Sequence, residues 1–257
     1  MTTHPDHIVK SFDEQLEHLK NTIVTMGTLA VRELSEAIDA LRLHDADRAS
    51  EVLKLDPKID DLEVEVEDSA IKLLALRQPM ANDLREVVAS LKIAGDLERI
   101  GDLAANVAKR GVALAQMPLA QPVSSLPRMG RFAQSLVEEV IDAYARHNPE
   151  KAIDVWVRDE ELDEMYSLLV RELLTYMMED ARNITPSSHL MFIGKNLERI
   201  GDHATNVAEV VYYVVTGHRL EVHRPKGDTG SFQVPAAVAE RAKGDSRPPA
   251  EPAAEAD

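Results

Sequence analysis

The chain of 257 residues contains no cysteine, which excludes disulfides and any thiolate-held metal centre. Phe, Trp and Tyr make up only 4% of it, so a core has to be built from Leu, Ile, Val, Ala and Met. No run approaches the roughly 18 apolar residues that a membrane span needs. The N-terminus lacks the basic-then-apolar pattern of a secretory signal. Positive charge is scarce: 29 Lys and Arg stand against 45 Asp and Glu, a formal net charge of −16. That deficit argues against nucleic acid, whose phosphates require clustered cations, and against direct attachment to an anionic membrane surface. Metal cations and basic protein patches are left as partners. A cytoplasmic protein without direct membrane insertion is the expectation.

Several chemical signatures are missing as well. No Glu-x-x-His motif of the di-iron carboxylate enzymes is present, nor a Gly-rich phosphate loop. A Ser-His-Asp arrangement is not recognisable either.

What is present is helical. Ala, Leu, Glu and Arg abound, and Gly is sparse. Phe12, Leu16, Leu19, Ile23, Met26, Ala30, Leu34, Ile38 and Leu41 recur at helical spacing and predict one long helix over 7–43. His44-Asp45 stops it, with Asp45 as N-cap of a second helix that runs to about Arg77. Pro57 inside that helix predicts a kink or a restart capped by Asp56. Gln78-Pro79 ends it, and a third helix follows over 82–115. Gln116–Pro127, rich in Pro and Ser, reads as a linker. The plan then repeats: a shorter helix over 128–146, an Asn148-Pro149 start and a helix to about Ala181, then a Thr185-Pro186 start and a last helix ending at Gly217. The expectation is an all-α protein of two tandem three-helix bundles (six helices) related by internal pseudo-symmetry, over 7–115 and 128–218. Residues 224–257, rich in Pro, Ala, Gly and charge, read as a disordered tail.

The repeat is explicit in the third helices. Ile93–Lys109 reads IAGDLERIGDLAANVAK, and Ile193–Glu209 reads IGKNLERIGDHATNVAE. Ile93, Leu97, Ile100, Ala104 and Val107, with their copies Ile193, Leu197, Ile200, Ala204 and Val207, form a packing seam. Beside it runs a small-residue stripe, Ala94, Glu98, Gly101 and Ala105 in one copy and Gly194, Glu198, Gly201 and Thr205 in the other. Gly inside a helix costs about 1 kcal/mol relative to Ala, so its recurrence marks a close approach, by a packed helix or by a ligand.

Glu98 and Asp102 share a face, as do Glu198 and Asp202. Like charges four apart destabilise a helix by roughly 0.2–0.5 kcal/mol, softened here by Arg99 and Arg199. One such pair would be a solvated acidic face; two matched copies beside a small-residue stripe point to cations. A second pair occurs in each half: Asp56 and Asp60, then Asp159 and Asp163. If the pairs face each other, four carboxylates converge per half, an all-oxygen set suited to Mg, Mn or Fe. Asn106 and Asn206 could add an oxygen or a supporting hydrogen bond. His203 has Leu103 as its counterpart, and Asp96 has Asn196, so neither belongs to the common plan.

LKIAGDLERIGDLAANVA and IGKNLERIGDHATNVAE, with LLALRQPMANDLR between the acidic helices of the first half, resemble the PhoU family over about residues 7–218. The resemblance implies two similar three-helix bundles whose E(D)-xxx-D motifs bind multinuclear metal clusters, iron or zinc in some members. Carried over, the ligands are Asp56, Asp60, Glu98 and Asp102 in one half and Asp159, Asp163, Glu198 and Asp202 in the other; manganese fits the same oxygens. It further implies a non-catalytic negative regulator of phosphate uptake and of the phosphate-starvation response, a homodimer in many members. Such a protein couples the phosphate ABC transporter's ATPase subunit to a sensor histidine kinase, recruited to the inner membrane through these partners. The chain departs from the pattern where Asp83-Leu84-Arg85, candidate docking residues, has no copy before the last helix. The alternatives are a metal-dependent carboxylate-cluster enzyme, which the missing motifs disfavour, and a purely structural helical scaffold, which the recurrent acidic pairs disfavour.

Overall fold

The computed structural model describes residues 5–117 and 125–220, with side chains from Phe12 onward. The middle of the expected linker and the expected disordered tail, 224–257, lie outside these residues. Seven α-helices and one 3₁₀ turn follow in order: α1 (Pro5–Leu43), α2 (Ala46–Val52), α3 (Asp56–Arg77), α4 (Asn82–Ala115), α5 (Ser125–Ala145), α6 (Pro149–Glu179), the turn Ala181–Asn183, and α7 (Ile184–Thr216). No strand occurs among the described residues, and no helix is long and apolar enough to cross a membrane.

The boundaries follow from local chemistry. His44 and His147 each take a left-handed conformation, at φ 53° and 51°, and end α1 and α5. The next residue caps the following helix in both halves. The Asp45 carboxylate accepts from the Arg48 backbone N–H at 2.9 Å, and the Asn148 side-chain oxygen accepts from that of Lys151 at 3.0 Å. Such caps each stabilise by about 1 kcal/mol. Two expected caps are not used. Leu55 already has right-handed helical dihedrals, so Asp56 is the first residue inside α3 and caps nothing. Asp180 instead of Thr185 supplies the capping oxygen before the last helix, accepting from the Arg182 N–H at 2.8 Å. The chain is thereby already helical at Ile184. The expected second helix is broken at 53–55, the restart that Pro57 announced.

The two bundles are α1 with α2, α3 and α4, and α5 with α6 and α7. They share one aliphatic core, because α4 packs along α7 and α1 along α5. The α1–α5 contact is symmetric to the residue. A methyl on Gly27 would stand 2.5 Å from Ile141 Cδ1, and one on Gly130 would stand 2.6 Å from Ile38 Cδ1. Gly27 and Gly130, like Ile38 and Ile141, are offset by the same interval as Asp56 and Asp159. Each glycine is a notch that receives the isoleucine of the other half.

Filling a notch forces Ile38 or Ile141 out of place. Gly27→Val and Gly130→Val should each destabilise by about 1–3 kcal/mol, read as a lower urea midpoint; an unchanged midpoint would mean that the helices part freely there.

Candidate metal centre

The acidic pairs sit where two helices are pressed together by glycine. A Cβ on Gly101 would lie 2.9 Å from Ile59 Cδ1 and 3.7 Å from Asp56 Oδ1. In the second half, a Cβ on Gly201 would lie 2.5 Å from Leu162 Cδ2 and would collide with Asp159 Oδ1. The small-residue stripe thus serves helix packing. The close approach carries Asp56 and Asp159 to the flank of the following helix. Asp159 is buried, Asp56 and Asp163 are half-buried, and Asp60 is exposed.

In the first half the carboxylates are within electrostatic reach of one another. Burial, then the charge of Asp102, raises Glu98 above its ordinary value; burial, then Asp102 and Asp60, raises Asp56. Arg99 moderates this through its Nε, 3.3 Å from Glu98 Oε2, and its Nη1, 3.5 Å from Asp102 Oδ2. Two acids absent from the sequence-based set join them. Glu63 on α3 is raised by burial and by Glu67, with Asp60 and Asp102 adding to it.

Glu33 on α1 is fully buried, and neither of its oxygens has a hydrogen-bond partner. Burial, then the charges of Asp56, Asp102 and Asp60, pushes it up to about 8. A carboxylate buried without a partner is strongly unfavourable unless it is protonated or meets a cation. A signal for Glu33 does exist in the sequence. It follows Met26 and Ala30 and precedes Ala37 at spacings of four, three and four, all three of them buried, so an acid occupies a core register.

The second half is built differently. The equivalents of Glu33 and Glu63 are Leu136 and Tyr166, which removes two acids. The equivalent of Gly95 is Lys195, whose Nζ lies 2.7 Å from Glu198 Oε1 and 5.4 Å from the Tyr166 ring centroid. Burial raises Glu198, and the Lys195 hydrogen bond works against it. Asp202 is half-buried, and Arg199 acts on Glu198 at longer range.

Asp56, Asp60, Glu98 and Asp102 are thus brought near one another in the first half, and in the second Asp202 lies near Glu198 and Asp159 lies against Gly201; neither half forms a closed coordination set. Among the described residues no three His, Asp or Glu side chains stand close enough to share one ion. The two asparagines do not act alike. Asn106 is exposed, while Asn206 donates its Nδ2–H to Asp96 Oδ1 at 3.2 Å, where His203 Nδ1 also lies, 2.9 Å away. Two of the mismatches between the copies, Asp96 for Asn196 and His203 for Leu103, form one contact between α4 and α7. Asp83 is half-buried at the start of α4, and Arg85 turns to the Tyr213 ring, 5.9 Å from its centroid.

The metal-free protein should lose stability as pH rises. Folded, Glu33 keeps its proton to about pH 8; unfolded, it releases it near its ordinary value of 4.5. Between these values unfolding sheds a proton, so stability falls with pH by at most about 1.4 kcal/mol per unit, and above them the effect is constant. Urea titrations in chelator from pH 5 to 9 should show this slope, and Glu33→Gln should flatten it and gain most above pH 8. An identical slope in the variant would remove Glu33 as its source.

The PhoU domain family model matches residues 23–111 and 126–211, one match in each bundle. Two curated relatives carry the description phosphate-specific transport system accessory protein PhoU homolog. The one from Caulobacter vibrioides (strain NA1000 / CB15N) is 46% identical over 224 residues, 87% of this chain and 97% of its own. The one from Rhizobium meliloti (strain 1021) is 47% identical over 226 residues, 88% and 95% of the two chains. Among solved structures, PhoU from Pseudomonas aeruginosa superposes with a TM-score of 0.78 at 37% identity, covering 80% of this chain and all of that one. The phosphate transport system regulatory protein PhoU from Streptococcus pneumoniae gives 0.75 at 30%, covering 82% of this chain. With each bundle matched and the relatives covered almost end to end, this chain belongs to the PhoU family.

Proposed function

We propose that this protein is a non-catalytic accessory regulator of phosphate transport. It restrains phosphate uptake and the starvation response when phosphate is plentiful, by coupling the ATPase subunit of the phosphate ABC transporter to a sensor histidine kinase. The observation that carries this reading is the 46% identity across 97% of a relative named for the phosphate-specific transport system. The shape agrees with it: long helices offer extended faces for partner proteins. The protein works in the cytoplasm, reaches the inner membrane through its partners, and acts as a homodimer.

We further propose that cations belong to the acidic sites. The fit rests on Glu33, whose two buried oxygens lack any hydrogen-bond partner among carboxylates from α3 and α4. Glu33, Asp56, Asp60, Glu98 and Asp102 would hold iron, manganese or zinc in the first half, and Asp159, Asp163, Glu198 and Asp202 in the second. The oxygen-only donor set suits hard or borderline ions. A bound cation supplies positive charge that the carboxylates otherwise lack. The side chains would then tie α1, α3 and α4 together while staying ionised.

Deleting the gene should raise starvation-gene reporters and phosphate uptake in phosphate-rich medium; unchanged reporters would refute the regulatory reading. Affinity capture of the full chain should recover the transporter ATPase or the histidine kinase. Replacing Glu98 and Asp102 together by Ala should lower the iron, manganese or zinc retained after reconstitution, measured by elemental analysis. A wild-type protein that retains none would end the metal proposal and leave the regulator standing.

A further inference from the structure

We propose that the groove between the start of α4 and the end of α7 binds an organic polyanion of the nucleoside phosphate class. Its cavity is about 560 Å³, within the roughly 300–1,000 Å³ of small-molecule sites. Arg85, Lys92 and Arg219 line it. None of the three forms an ion pair among the described residues, in a chain whose acids outnumber its bases by 45 to 29. The one carboxylate on the lining, Glu209, already accepts from Trp156 Nε1–H at 3.1 Å. Three cations against one carboxylate leave the lining with a net positive charge, and a phosphate chain balances it through charge-assisted hydrogen bonds.

The rest of the lining suits an organic body rather than a bare ion. Leu84, Val88 and Val210 provide apolar wall, and Tyr213 adds a ring on whose face the Arg85 guanidinium already lies. Arg85 is held in place from two further sides, donating to Asn82 Oδ1 and packing against Gly217. A planar base has an apolar and aromatic surface here, with the cations at its edge.

The pseudo-symmetry shows that this groove is particular to one end of the molecule. A shift of one hundred residues puts Thr185, Ser188 and Phe192 where Arg85, Val88 and Lys92 stand, and Arg110 where Val210 stands. There the Arg110 guanidinium lies 4.3 Å from the Phe192 ring centroid, and a stacked pair takes the place of groove wall and cation. Two of the three cations therefore have no copy at the other end, and no general requirement of the bundle accounts for them. The groove is also separate from the acidic sites: Glu98 and Asp102 lie further along α4, beside α3, and Glu198 and Asp202 lie earlier on α7, beside α6.

Isothermal titration of the full chain with ATP, in low salt and with chelator so that the carboxylate sites bind no metal, tests the proposal. ATP should bind at one site per chain, more weakly as salt is raised, and inorganic phosphate should bind about tenfold more weakly or not at all. Lys92→Phe, which copies Phe192, should abolish binding; Arg85→Gln with Lys92→Gln should weaken it about tenfold or more and decides the matter if Lys92→Phe fails to fold. Arg32→Ala on α1, a cation paired with Glu36, should leave binding unchanged. No heat with ATP at millimolar concentration, equal affinity in a folded groove variant, or phosphate binding as tightly as ATP would each overturn the proposal.

Discussion

The structure depends on how closely each acidic helix is held against the next helix. Gly101 and Gly201 let Ile59 and Leu162 seat against bare backbone, and that contact brings the first aspartate of each D-xxx-D pair to the flank of the E-xxx-D helix. Any side chain at either glycine would push α3 from α4 or α6 from α7, and the carboxylates would move apart. Charge repulsion at this seam is thus held in check by packing: the aliphatic seam keeps together what the acids alone would separate. The buried Glu33 adds to the same tension from a third helix, and the proton or cation it calls for would release it.

Duplication supplied two equal frames that have since acquired different electrostatics. The first half collects six carboxylates around Arg99 and Lys109. The second has four and carries its own cation, Lys195, within hydrogen-bond distance of Glu198. The backbone plan, the caps at Asp45 and Asn148 and the glycine notches on α1 and α5 are retained in both. What differs is the chemistry placed on that plan, at the acidic seams and at the two ends of the α4–α7 pair.

Much of this was legible in the sequence, and the reasons for success and failure are physical. Helices with a strict apolar period, caps of Asp or Asn ahead of them, and a repeated block are local or self-referential signals. The residues of the PhoU-like core followed from them. Asp56 looked like a cap because it precedes Pro57, yet the turn at 53–55 had already wound the backbone into helix. Thr185 looked like a cap for the same reason and was pre-empted by Asp180. Glu33 is harder to read because one acid within a long amphipathic pattern does not disturb its period; its spacing puts it in an interior register, but only the packed neighbours show that it is buried without a partner. The Asp96–His203 contact joins residues 107 apart, and nothing in the local pattern marks it. Each residue looked like a defect in the repeat when read alone.

That contact has a consequence for the history of the chain. In a symmetric pair of identical halves, the position of Asp96 and the position of His203 would each have to be filled by one residue type in both copies. Histidine and aspartate could then meet only if the same two changes were tolerated at the mirror positions, where Leu103 now lies buried in the apolar core and Asn196 replaces the aspartate. Covalent fusion removed that obligation. Once each half had its own codons, one side of the two-fold axis could become polar while the other stayed apolar, and the molecule gained a distinguishable left and right.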